Sequence, residues 1–197
     1  STVVANKPDS KATYTVTLTD AEGQALKDVT VYWRATLGTV ETKKTEVNGV
    51  LQTDFVPGKV MGTDTPQYWL DLFEPENAPP IQVMVDFDTL SFSERDKSPV
   101  PLETVPRGQE VELYARLRDN YGNLGQNLLV DWSYRAVNSN KRQSVSIRPA
   151  HGFTNQEGLT RVFVSSATGG TFTFSVLSQT GETSANFEAI TFEGDEV

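Results

Sequence analysis

Apolar and polar residues alternate with a period of two along most of the chain. In "ATYTVTLTD", Ala12, Tyr14, Val16 and Leu18 fall on one side and the threonines on the other. In "EVELYARLRD", Val111, Leu113, Ala115 and Leu117 oppose Glu112, Tyr114, Arg116 and Arg118. This pattern predicts half-buried strands, and helical periodicity is nearly absent. Each of the two strands runs into Asp-x-x-Gly, as "DAEG" and "DNYG". Asp accepts local backbone hydrogen bonds and Gly permits a positive φ, so both read as tight turns. The returning strands place Val29, Val31 and Trp33, and Val130 and Trp132, inward. Trp buries the largest apolar area of any side chain, so Trp33 and Trp132 read as core pins.

The two stretches are copies of one plan. Asp20 precedes Trp33, and Asp119 precedes Trp132, by the same 13 residues, and the copies are offset by 99. That period is the size of one small β domain. It predicts two domains, residues 1–90 and 91–197. A polar turn ending in Gly and a further strand follow in each, as "EVNGVLQTDFV" and "TNQEGLTRVFV". Next come "PQYWLDLFE" and "GTFTFSVLS", then a last strand, "IQVMVDF" or "TSANFEA". Between Trp and the turn Gly the second copy is longer by ten residues, an insertion near 134–153. Short strands separated by frequent turn signals predict an all-β chain built as β-sandwiches. "VDFDTLSF" (85–92) aligns with "ANFEAITF" (185–192), pairing Phe87, Leu90 and Phe92 with Phe187, Ile190 and Phe192. This match predicts an exit linker and a third domain beyond residue 197.

Composition narrows the partners. The 197 residues carry a formal net charge of −9, divided as −6 over residues 1–92 and −3 over the rest. Such a surface repels nucleic acid and anionic lipid. The 37% hydrophobic content is low, as expected of sheets with one solvated face. Without Cys there is no disulfide framework, thiolate metal site or Cys nucleophile. No apolar run is long enough to span a membrane as a helix. "STVVANKPDS" lacks the apolar core of a signal peptide.

Taken in order, the strand, D-x-x-G, V-x-V-x-W, T-x-x-x-G turn and closing Phe strand resemble the bacterial Ig-like domain of group 1. That module builds the stalks of intimin and invasin-type adhesins. The matching residues are "TLTDAEGQALKDVTVYW", "TEVNGVLQTDF" and "VMVDF" in the first copy. In the second they are "RLRDNYGNLGQNLLVDW", "TNQEGLTRVFV" and "ANFEA". The family's Pro after the turn Gly is replaced by "GQA" and "GNL". The resemblance implies two immunoglobulin-like sandwiches in tandem, flanked by further Ig-like domains. It implies display at the surface of a Gram-negative bacterium or secretion, a protein or glycan partner on another cell, and no enzymatic chemistry.

The residues themselves agree on that last point. His151, in "PAHGF", has no evident acid partner, and no nucleophile-elbow, P-loop, HExxH or dinucleotide motif occurs. No cofactor is expected, with one weighed exception. Asp86, Asp88, Glu94 and Asp96 cluster around the domain junction and "FEGDE" repeats acids at the exit. They are oxygen ligands suited to interdomain calcium, against which stands a plain reading as a solvated linker. Two features break the repeat and are the candidate partner surface. Trp69 aligns with Thr173 and should point outward beside Phe73. The insertion adds Arg135, Lys141, Arg142 and Arg148, a basic cluster on an acidic protein. A covered Trp and a solvated hairpin are the plainer readings of these. Two other functions fit the same sequence. One is an Ig-repeat protein for contact between bacteria, as in conjugation; the other is an accessory module of a secreted polysaccharide-active enzyme.

Overall fold

The computed structural model describes residues 1–99, 103–137 and 144–194, apart from the side chain of Glu94. It divides into two compact units, Ser1–Asp86 and Phe87–Val197.

The first unit contains ten strands: β1 (Thr2–Val4), β2 (Ala12–Thr17), β3 (Thr30–Arg34), β4 (Gly38–Val40), β5 (Lys43–Lys44), β6 (Val50–Pro57), β7 (Gly62–Asp64), β8 (Gln67–Trp69), β9 (Glu76–Asn77) and β10 (Ile81–Met84). They order as β2-β6-β4, as β5-β3-β8-β9, and as β1-β10-β7, where β1 runs parallel to β10. The core has two parts. Val3, Ala5, Phe55, Ile81 and Val83 form one. Val31, Trp33, Leu51 and Ala78 form the other.

The second unit contains β11 (Ser91–Phe92), a 3-10 turn at Glu94–Asp96, then β12 (Val111–Arg118), β13 (Leu129–Ala136), β14 (Val145–Arg148), β15 (His151–Phe153), β16 (Leu159–Ser166), β17 (Gly170–Ser178), β18 (Thr183–Asn186) and β19 (Ile190–Phe192). One sheet runs β11-β12-β16-β14 and the other β15-β13-β17-β18, with β19 also on β17. Leu113, Ala115, Leu117, Val162, Val164, Phe174 and Trp132 lie buried between them. Both units are β-sandwiches, with alternate residues inside.

The Asp-x-x-Gly turns form as the sequence predicts. Asp20 Oδ1 accepts from the Glu22 and Gln24 backbone N–H groups at 3.0 and 2.8 Å. Asp119 Oδ1 accepts from Tyr121 and Asn123 at 2.9 and 2.8 Å. Gly23 and Gly122 take φ of +81° and +82°. The second turn glycine of each unit is held harder. Leu18 N–H donates to Gly49 C=O, and Leu117 N–H to Gly158 C=O. A Cβ at Gly49 would lie 2.5 Å from Leu18 O, and one at Gly158 2.7 Å from Leu117 O.

Strand register corrects two sequence alignments. Trp33 stands opposite Tyr68, and Trp132 opposite Val176. Tyr68 is therefore the counterpart of Val176, not of Phe172, a displacement of four residues. Leu72 is not an inward strand residue. Strand β8 stops at Trp69, and Leu72 sits in the following turn at φ +69°, 99% exposed. The second correction concerns the segment 85–92. Its end, β11, pairs with β12, whereas β19 pairs with β17. The counterpart of β19 is β10, which pairs with β7 as β19 does with the start of β17. Phe87 and Phe187 are therefore not equivalent, and the match that predicted an exit linker is absent.

Candidate functional site

Register also gives the residue equivalents around the two tryptophans. Ala78 N–H donates to Pro66 C=O at 2.7 Å, as Phe187 N–H does to Phe174 C=O at 2.9 Å. Ala78 thus occupies the place of Phe187. Val16 pairs with Leu51 where Ala115 pairs with Thr160, so Leu51 occupies the place of Thr160. By the same count Tyr14 replaces Leu113, and Glu76, opposite Tyr68, replaces Ala185, opposite Val176.

These replacements change the chemistry around Trp. In the second unit Trp132 stacks on Phe187 with centroids 5.4 Å apart, and its Nε1 donates to Thr160 Oγ1 at 3.0 Å. In the first unit Tyr14 supplies the stacking ring, 5.1 Å from Trp33, and its hydroxyl donates to Pro79 C=O at 2.5 Å. Tyr68 packs on Trp33 at 5.3 Å and donates to Glu76 Oε2 at 3.1 Å. Leu51 offers no acceptor, and Trp33 Nε1 is buried without a hydrogen-bond partner. Burial holds the Tyr14 hydroxyl above the ordinary tyrosine pKa, with Asp64 adding to the effect. Burial and then the Glu76 carboxylate do the same for Tyr68.

The first sandwich has a cleft on one side. A cleft of ≈ 440 Å³ runs between β2 and β8–β9, walled by Tyr14, Val16, Leu18, Trp33, Tyr68 and Leu70. Trp69, Phe73, Glu74 and Glu76 line it as well. Tyr14, Val16 and Leu18 are half-buried there, while their counterparts Leu113, Ala115 and Leu117 are fully enclosed.

Trp69 and Phe73 both border the cleft, and the Trp69 ring lies on the face of its sheet opposite Trp33 and Tyr68. Trp69 is half-buried: its ring stacks on Tyr32 at 5.8 Å, and the Arg34 guanidinium lies 5.8 Å from its centroid. Arg34 is itself held by the Gln67 side-chain carbonyl. Phe73 is 70% exposed beside Leu72, and a turn bond from Phe73 N–H to Leu70 C=O holds the tip. The cleft had no signal in the sequence, because Ala78 in "ENAPP" becomes informative only when register equates it with Phe187.

The basic residues are not brought together. Arg135 is exposed on β13, opposite Thr173. Arg148 ends β14 in the other sheet, where its Nε donates to Glu110 Oε1 at 3.0 Å and its guanidinium lies over Phe163. Lys141 and Arg142 lie outside the described residues. Of the acids weighed for calcium, Asp96 is engaged by Arg116 Nη1 at 2.8 Å and Arg118 Nε at 3.3 Å. Asp86 is buried, and Asp86 and Asp88 both have partners. Among the described residues no three His, Asp or Glu side chains converge as metal ligands. His151 is exposed on β15 opposite Asp131.

No protein-family model matches the chain, and no curated protein does. Solved structures match over both units. The Yersinia pseudotuberculosis adhesin InvE is 20% identical with a TM-score of 0.55, over 98% of this chain and 56% of that one. Y. pseudotuberculosis InvD is 14% identical with a TM-score of 0.51, over 98% and 57%. The Escherichia coli adhesin FdeC is 15% identical with a TM-score of 0.50, over 98% and 61%. The chain spans less than two thirds of each of these structures. What it shares with them is the fold, a tandem of immunoglobulin-like β-sandwiches.

Proposed function

We propose that this chain is a non-enzymatic segment of an adhesin-type bacterial surface or secreted protein, built from group 1 Ig-like domains. The domains are the two compact units, Ser1–Asp86 and Phe87–Val197, and the segment extends and contributes to a contact made with another cell. The observation that carries the reading is the fold match over nearly the whole chain, through both units, to bacterial adhesins. The acidic surface supports a protein or glycan partner over nucleic acid. The contact face is the one bearing Trp69 and Phe73, where large apolar side chains stand exposed beside an open cleft.

The test is attachment of the purified chain to epithelial and to bacterial cells, with Trp69→Ala and Phe73→Ser variants alongside. The reading expects saturable attachment to one cell type, reduced at least about tenfold in the Trp69 variant, as for a buried aromatic anchor. Attachment to neither cell type would overturn it.

A further inference from the structure

The chain passes from the first unit into the second along one covalent path, and that path is itself a strand of the second unit. Beyond the boundary at Phe87, β11 lies along the edge of β12, with Ser91 opposite Arg118 and Phe92 opposite Leu117. The contact runs on past β11. Ser93 N–H donates to Arg116 C=O at 3.1 Å and Ser98 N–H to Tyr114 C=O at 3.0 Å. Asn120 N–H donates to Thr89 Oγ1, and Tyr114 N–H to Ser98 Oγ, both at 3.1 Å. Leu90 and Phe92 are buried. Charge latches the far end. Asp96 Oδ1 accepts from Arg116 Nη1 at 2.8 Å, and Arg118 Nε lies 3.3 Å from Oδ2. Partial burial shields this cluster from water, so it holds more firmly than an exposed salt bridge.

The other elements that a pull on the chain reaches are held better. β11 is an edge strand with one neighbour. Load leaves the second unit through β19, which pairs with β17 and is also bridged to Val105. Val105 N–H donates to Thr191 C=O and Glu193 N–H to Val105 C=O, both at 2.8 Å. Val105 stands behind the segment 87–98 and takes up load only once that segment lets go. The sheets behind it are closed by β12–β16 and β13–β17 ladders of six and seven residue pairs, against two for β11–β12. In the first unit load enters on β1 and leaves from β10, parallel neighbours paired at three positions. A pull draws these two strands along their common axis in opposite directions, so their bonds share the load at once.

We infer that residues 87–98 form a tension-sensitive strap. Under load the strap peels from β12 and lengthens the tandem while both sandwiches keep their cores. When the load falls it docks again. Opening ahead of global unfolding is the behaviour of an element with few buried apolar contacts. The inference stands on strand order within this chain, independently of the adhesin reading, to which it adds a response to tension.

The test is stretching of the whole chain in an optical trap, between handles at its two ends. The expected result is an early, reversible lengthening of no more than about 6 nm, the full stretch of the chain from Phe87 to Val105. It precedes unfolding of either unit, which releases roughly 20 nm or more. Asp96→Ala should shorten the lifetime of the docked strap at constant load at least about tenfold. Glu112→Ala, which removes the exposed Glu112–Arg161 pair on the same β12, should leave it unchanged. The chain has no Cys, and Ser91 and Arg118 face each other across the two strands, within disulfide reach. Oxidised Ser91→Cys/Arg118→Cys should therefore lose most of the early lengthening and regain it on reduction. Absence of the early step overturns the inference. So does a step that survives the cross-link, a lifetime unchanged by Asp96→Ala, or unfolding of a whole unit before the step.

Discussion

Trp132 Nε1 donates to Thr160 Oγ1 at 3.0 Å, both residues buried in the second sandwich. Removing the hydroxyl without changing the shape isolates that bond. Thr160→Val should lower the stability of the second unit by about 1–3 kcal/mol, the cost of an orphaned buried donor. Urea unfolding followed by hydrogen exchange at β12–β16 amides checks it. Unfolding of the first unit should be unaffected.

Gly158 and Gly49 carry matching constraints, so each offers a test confined to its own unit. Both have positive φ, and in both a Cβ would meet a backbone carbonyl oxygen. Gly158→Ala should destabilise the second unit, and Gly49→Ala the first, by about 2 kcal/mol or more. Gly23→Ala is the comparison. Its site is open, so only the positive φ penalises it, and a smaller loss is expected.

Asp64 is a buried acid where the second unit has the core residue Phe172. Its Oδ2 accepts from the backbone N–H groups of Thr36 and Leu37, at 2.9 and 2.6 Å, and so holds the loop between β3 and β4. Asp64→Ala should cost about 3 kcal/mol, because two backbone N–H donors lose a carboxylate acceptor. Asp64→Asn, which keeps one acceptor oxygen, should cost less. Thermal unfolding of the two variants side by side decides it.

The first unit should also lose stability in alkali. Tyr14 and Tyr68 both titrate above the ordinary tyrosine value of 10.0 in the folded chain. Above that pH the unfolded chain releases these protons more readily than the folded one. The stability gained from the neutral hydroxyls is therefore complete below pH 10 and declines as pH rises through the folded values. Denaturant midpoints followed by Trp fluorescence should hold from about pH 8 to about pH 10 and fall from there to about pH 11.5. Tyr14→Phe should flatten part of the slope.

The fold was legible because its cues are local and occur twice. Asp20 with Gly23, and Asp119 with Gly122, announce a turn wherever they sit, and the 99-residue offset counts the domains. What the sequence hid was register across the sheet. A four-residue slip keeps every side chain on the same face, so matching Tyr68 to Phe172 violated no alternation rule. The loops that settle the matter differ in length between the copies. The cleft was hidden for the same reason. Ala78 lines it at the place where Phe187 stacks on Trp132, and a small residue in a proline-rich loop carries no signal of its register. The basic residues failed in the opposite direction. Arg135 and Arg148 are close in sequence, but β13 and β14 belong to different sheets.

The unlike surroundings of Trp33 and Trp132 bear on how two tethered copies avoid tangling while they fold. Adjacent repeats of one plan risk exchanging strands, since each edge finds a ready template next door. Here a strand from the wrong copy would set Leu51 against the indole that needs Thr160, or crowd Phe187 against Tyr14. The divergence of the twin cores acts as a proofreading code written into the hydrophobic interior.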